Sequence, residues 1–180
     1  MIPFSSPAND LKKAEDFIDE LGNSIIDIVD SSSDINQKHD ELMELLKKSA
    51  SIRTISRAAL GTKWRSTSEV MKLQFSDAFS IYLVRKYGKQ FGDFKGSKMV
   101  LERTVDAGKR GILVSSRFIM PGTSPISVQW QVWKDDGVLK LVDIIIEDIS
   151  MLTMEREEIK NRLIANKGDL KGLITQLQSK

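Results

Sequence analysis

The apolar residues of this chain recur every three or four positions as far as Gly96, then at alternate positions over residues 98–147. Helices must therefore come first and strands second, because those two spacings gather apolar side chains on one face of a helix and of a strand respectively. The four prolines are Pro3, Pro7, Pro121 and Pro125. Residues 8–120 thus lack the strongest helix breaker, and long helices are permitted there.

Leu11, Ala14, Ile18, Leu21, Ile25 and Ile28 form one amphipathic stripe, ending in Ser31-Ser32-Ser33. The spacing predicts a second helix over about 35–48 that buries Leu42, Met43, Leu45 and Leu46, and a third over about 51–60 that stops at Gly61. Ser66-Thr67-Ser68-Glu69 reads as a capping box for a long helix to Tyr87, closed by Gly88. Its inner stripe is Met71, Phe75, Ala78, Phe79, Tyr82 and Leu83. Beyond Gly96, residues 98–105 and 111–119 read as a hairpin, with Asp106 to Arg110 turning between them. Ile126, Val128, Trp130 and Val132 alternate with polar or outward residues, and Asp135-Asp136-Gly137 turns into a strand over 139–147. Met154 to Ala165 is predicted helical, Gly168 ends it, and Asp169 caps a last helix through Leu177. The fold class is α+β in one domain, residues 1–180: helical over about 9–95, a four-stranded antiparallel meander over 96–148, and helical over 150–178.

There is no Cys and a single His, His39, which sits on a charged helix segment and is read as solvated. Thiolate catalysis, disulfides, Cys-based zinc sites and any site built on two histidines are excluded. The paired acids Asp135-Asp136, Glu147-Asp148 and Glu157-Glu158 fall in a turn, at a strand end and on a polar helix face. Asp143 differs, because it interrupts the apolar run from Leu141 to Ile146, where an acid is either buried with donors or faces a pocket. No phosphate loop is present: Gly108-Lys109-Arg110-Gly111 lacks the required spacing and joins two strands. Residues 51–120 carry 14 Lys/Arg against 5 Asp/Glu, while residues 1–50 carry 5 against 11. Such a basic middle suits an anionic surface or an acidic partner as well as ordinary solvated faces. It shows no nucleic-acid-binding motif, so no nucleic-acid partner is expected. No run approaches the length of a membrane span, and Met1 to Pro7 has neither a basic nor an apolar leader region, so no signal peptide is read there.

The order of motifs resembles a known family. Ala59-Leu60-Gly61-Thr62-Lys63-Trp64-Arg65-Ser66-Thr67, followed by Phe75, Phe79, Tyr82, Leu83 and Tyr87-Gly88, is similar to the pattern of MlaC and the toluene-tolerance auxiliary proteins. Val142-Asp143-Ile144-Ile145-Ile146-Glu147-Asp148-Ile149-Ser150-Met151 resembles that family's Asp-hydrophobic-Glu-Gly-Val-Ser block, with Asp148 in place of Gly. Lys167 to Ile174 resembles its C-terminal Gly-x-x-x-Leu segment, so the likeness covers roughly residues 9–178. The resemblance implies a fold related to nuclear-transport-factor-two-like proteins and a periplasmic phospholipid carrier that maintains outer-membrane lipid asymmetry. Its implied partners are phospholipid, an inner-membrane ABC transporter complex with its MCE-type component, and an outer-membrane lipoprotein complex. The expected protein is a monomer and not an enzyme, with no cofactor beyond phospholipid as cargo.

On this reading the lipid-binding residues are Phe75, Phe79 and Leu83 from the long helix, Val114, Phe118, Val128, Trp130 and Val132 from the sheet, and Ile149 and Met151 beside the final turn. Asp143 and Trp64-Arg65 are read as structural. Two other readings stay open: an enzyme of related cone-shaped fold using Asp143 as general base on an apolar substrate, and a lipid-free interaction module with a filled core. An elongated apolar cavity, a compact site opposite the acid, and no cavity at all distinguish the three.

Overall fold

Helix α1 (Pro7–Asp30) lays Ala14, Ile18, Leu21, Ile25 and Val29 against the sheet in the computed structural model, which describes residues 7–179. The leaderless stretch read from residues 1–6 lies outside the described residues. Helix α2 (Ile35–Ser49) opens with a capping box: the Asp34 carboxylate accepts from the Asn36 and Gln37 N–H groups while the Gln37 side chain accepts from Asp34 N–H. Helix α3 (Ile52–Leu60) runs into a 3-10 turn, Gly61–Ser66, which buries Trp64 with Arg53 and Lys72 over its ring.

Helix α4 (Glu69–Phe91) starts at Ser68, not Ser66, and does not stop at Gly88. A Cβ on Gly88 would stand 3.0 Å from the His39 ring of α2, so this glycine marks a close approach of two helices and not a terminus. His39 is accordingly half-buried, with Nε2 lacking a hydrogen-bond partner, rather than solvated.

The sheet is an antiparallel meander in the order β1 (Lys98–Asp106), β2 (Ile112–Ile119), β3 (Ile126–Asp135), β4 (Val138–Ile146) and β5 (Ile149–Ser150). Five strands replace the predicted four. Glu147 (φ 47°) and Asp148 (φ 65°) both adopt left-handed backbone, forming a two-residue hairpin that returns Ser150 to pair with Ile145. The register shifts between Leu101 and Arg103 in the β1–β2 ladder and between Gln131 and Val132 in the β3–β4 ladder, and shifts of this kind increase a strand's local bend and twist. Helix α5 (Met151–Ala165) begins three residues before the predicted Met154, because the Ser150 hydroxyl accepts from Thr153 N–H. Asp169 caps α6 (Leu170–Gln178), as its sequence position suggests.

The apolar core is in two pieces. One joins α1 to the sheet through Val114, Phe118, Val128, Trp130, Val132 and Leu141. The other joins α3, α4, α5 and α6 through Leu60, Trp64, Phe75, Phe79, Ile159, Leu173 and Leu177. These pieces meet only at their edges, where Ile55 packs against both.

Gly111 (φ 79°) ends the β1–β2 turn, and a Cβ there would lie 2.4 Å from the Val132 carbonyl oxygen. A Gly111→Ala substitution therefore combines strained backbone with a clash against an ordered strand. The expected loss is at least about 2 kcal/mol in urea unfolding, with an unchanged denaturant slope.

Candidate functional site

A cavity of about 180 Å³ lies between the two apolar clusters. Leu21 and Ile25 of α1, Leu42, Leu45 and Leu46 of α2, Phe79, Leu83 and Val84 of α4, Phe118, Val128 and Trp130 of the sheet, and Met151 and Leu152 of α5 supply most of its wall. The sheet contributes through register: Val128 and Trp130 of β3 stand opposite Ile146 and Ile144 of β4, so four apolar side chains line up on neighbouring strands. Aromatic packing fixes one end, with Phe94 edge-on to Phe118 at 5.2 Å between centroids and Phe118 tilted against Trp130 at 6.3 Å. The Trp130 indole N–H donates to Ser116 Oγ, leaving a satisfied and otherwise apolar surface.

Among the ten residues singled out from sequence, Phe79, Leu83, Phe118, Val128, Trp130 and Met151 line this cavity. Phe75 stacks on Phe79 at 5.5 Å but belongs to the all-helical cluster, away from the void. Val114 and Val132 are fully buried in the cluster beneath α1. The Ile149 side chain sits on the hairpin before α5, 53% exposed and outside the cavity.

Behind the wall, Glu155 and Tyr87 belong to a buried polar cluster with Lys86 and Tyr82. The Lys86 ammonium donates to Glu155 Oε1 at 2.6 Å and to the Tyr82 hydroxyl at 3.0 Å, and the Tyr87 hydroxyl donates to the same Glu155 oxygen at 2.5 Å. Glu155 is 2% exposed, and its second oxygen, Oε2, has no hydrogen-bond partner. Burial pulls the Lys86 pKa down, but the hydrogen bonds to Glu155 and Tyr82 outweigh it and hold the ammonium above its ordinary value. Burial, then the bond to Glu155, push the Tyr87 phenol well above its usual range. Sequence reasoning missed this group. Glu155 lies beside Glu157 and Glu158 on a strongly charged helix, and no local signal joins it to Lys86, 69 positions away.

Asp143 also borders the cavity, with both oxygens occupied: Oδ2 accepts from the Ser150 hydroxyl at 2.5 Å and Oδ1 from Leu152 N–H at 2.9 Å. Its work is to hold the start of α5 on β4. Part of the basic middle segment is likewise engaged within the fold, since the Arg85 guanidinium donates to the carbonyls of Leu177, Gln178 and Ser179 at the end of α6. Among the described residues no helix is long and apolar enough to cross a membrane, and no acidic or His cluster is arranged to hold a metal.

Comparison with known proteins places this geometry. The family model described as MlaC protein matches residues 19–179. A solved structure of a phospholipid-binding protein from Ralstonia solanacearum, in complex with a phospholipid, superposes with a TM-score of 0.76 at 17% sequence identity, covering 91% of this chain and 94% of that one. No curated protein sequence matches.

The Lys86–Glu155 pair yields a stability test. Lys86→Met leaves the Glu155 carboxylate buried without its counter-charge, and the expected cost is on the order of 3 kcal/mol in chemical denaturation. Pairing it with Glu155→Leu should recover most of that loss. Because the folded state holds Lys86 above its ordinary 10.5, the pair's contribution is complete below that pH and fades as pH climbs past it. Wild type should therefore lose stability faster than the double variant in that alkaline window.

Proposed function

This chain belongs to the MlaC family, and from that premise we propose that it is a periplasmic phospholipid carrier whose cargo places its acyl chains in the cavity between the two apolar clusters. The observation that carries the reading is the wall itself: hydrocarbon-lined on the sheet and on α1, α2 and α4, with polar side chains confined to Ser49, Tyr87, Asp143 and Glu155 among the lining residues. The Ralstonia protein, which shares the fold, is described as phospholipid-binding and holds a phospholipid. The role is binding and not catalysis, since Asp143, the one acid read as a possible base, uses both oxygens inside the fold.

At about 180 Å³ the void is smaller than the roughly 300–1,000 Å³ of sites that hold drug-sized ligands. A two-chain lipid therefore enters only as the walls part. Helix α2 is the wall cheapest to move: it supplies Leu42, Leu45, Leu46 and Ser49 to the cavity, yet Leu42 and Ser49 are its only buried residues. Once inside, two acyl chains of ordinary length are worth on the order of 20 kcal/mol against exposure to water, at about 0.8 kcal/mol per methylene. Spontaneous release into water is then negligible. Transfer occurs in docked complexes, with an inner-membrane ABC transporter and its MCE-type component on one side and an outer-membrane lipoprotein complex on the other, and the carrier works as a monomer. Of the ten residues read from sequence, the acyl-chain contacts are Phe79, Leu83, Phe118, Val128, Trp130 and Met151, to which Leu45 and Leu46 of α2 are added.

Delipidated protein incubated with phospholipid vesicles and analysed by native mass spectrometry tests the carrier reading. Wild type should acquire phospholipid. Leu83→Glu, which puts a carboxylate on a half-buried cavity wall, should reduce loading at least about tenfold, whereas Ile149→Glu should load as wild type does. A wild type that acquires no lipid, or full loading by Leu83→Glu, contradicts the reading.

A further inference from the structure

Resting on the carrier reading proposed above, we infer that phospholipid enters through the seam between α2 and α4, with α2 swinging as a lid on a hinge at Ala50 and Ser51. The two ends of α2 are held very differently. At the C-terminal end Ser49, Ala50 and Ser51 are buried, Ala50 bridges to Leu141 of β4, and Ser51 N–H donates to the Leu141 carbonyl at 2.9 Å. The Ser51 hydroxyl donates to Asp135 Oδ2 at 2.6 Å, and the Lys140 ammonium donates to the Lys48 carbonyl at 2.5 Å. Residues 35–41, by contrast, include no buried side chain, and Ile35 is 52% exposed. That end is tied to α1 by the Lys38 ammonium, which donates to the Val29 carbonyl at 2.7 Å on a flexible four-carbon stem able to follow a moving helix.

Across the seam the contact carries no bond: among the described residues, no hydrogen bond or ion pair joins α2 to α4. The two helices meet where the His39 ring and Leu42 lie against Gly88, whose Cβ, if present, would stand 3.0 Å from the ring and 3.6 Å from Leu42 Cδ1. His39 Nε2 is buried there without a partner, so parting the helices returns it to water and offsets part of the cost of exposing Leu42. Behind this contact the cavity wall is Leu42, Leu45 and Leu46 on α2 and Leu83, Val84 and Tyr87 on α4. A raised α2 therefore opens directly onto the hydrocarbon lining, while the hinge keeps its C-terminal end in place. Because the closed void is only about 180 Å³, a two-chain guest holds the lid raised for as long as it stays.

The chain has no cysteine, so thiols can be introduced in pairs without competition. Spin labels on Asn36→Cys and Lys89→Cys report the seam, and labels on Lys48→Cys and Lys140→Cys report the hinge. Loading delipidated protein from vesicles of phosphatidylethanolamine and phosphatidylglycerol should lengthen the seam distance by roughly 3–5 Å and leave the hinge distance within about 1 Å. A third pair, His39→Cys with Gly88→Cys, bridged by dibromobimane, closes the seam covalently and should cut the lipid acquired at least about tenfold relative to the same protein unbridged. The label pairs sit at surface positions, so they decide the matter even where the bridged pair does not fold. A seam distance unchanged by loading, a hinge distance that grows as much as the seam, or equal loading of bridged and unbridged protein overturns the lid and leaves the carrier reading standing. Wild type that acquires no phospholipid from the vesicles overturns both.

Discussion

The fold depends on a mismatch of apolar surface: β2, β3 and β4 present more hydrocarbon than α1 covers, and α3, α4, α5 and α6 gather around their own centre. Val114 and Val132 are sealed beneath α1, and Leu173 and Leu177 are sealed among the helices. Phe118, Val128 and Trp130 lie between, sharing a wall with Phe79 and Leu83 across a gap. Folded interiors ordinarily close to the density of organic crystals, and each lining atom without a neighbour forfeits dispersion energy. A guest's hydrocarbon restores those contacts, so the same gap that costs stability in the empty protein becomes affinity in the loaded one.

Few polar groups interrupt this surface, and each has a distinct physical status. Asp143 is saturated by Ser150 and Leu152 and belongs to the architecture of the β4–α5 junction. Glu155 is half saturated: Oε1 takes Lys86 and Tyr87, while Oε2 is buried without a hydrogen-bond partner. A buried ion pair of this kind adds little net stability compared with a well-packed apolar pair, because desolvation consumes most of its Coulombic gain. What it does is tie α4 to α5 through Lys86, Tyr87 and Glu155.

Much of this was legible in the sequence, for a physical reason. The shift from helical to alternating spacing at Gly96 reports burial geometry directly, so the helix and strand order, the inner face of β3 and the capping by Asp169 follow from local pattern. Four features escaped local reading. The fifth strand needs left-handed backbone at Glu147 and Asp148, residues that do not announce it as Gly would. Gly88 looks like a stop until His39 is seen against it. Which large apolar residues face the gap and which complete a cluster is a three-dimensional matter: Phe75 and Phe79 share one helical stripe and stack on each other, yet only Phe79 reaches the cavity. The Lys86–Glu155 pair is likewise a product of chain folding, invisible to any window that spans a single helix.

The central claim is that hydrocarbon from a guest occupies the space between the two clusters. A crystal structure of the protein loaded with a phospholipid brominated along its acyl chains tests this most directly. Anomalous bromine peaks among Phe79, Leu83, Val128 and Trp130 are the predicted result; peaks confined to the outer surface, with the interior unchanged and empty, would contradict it.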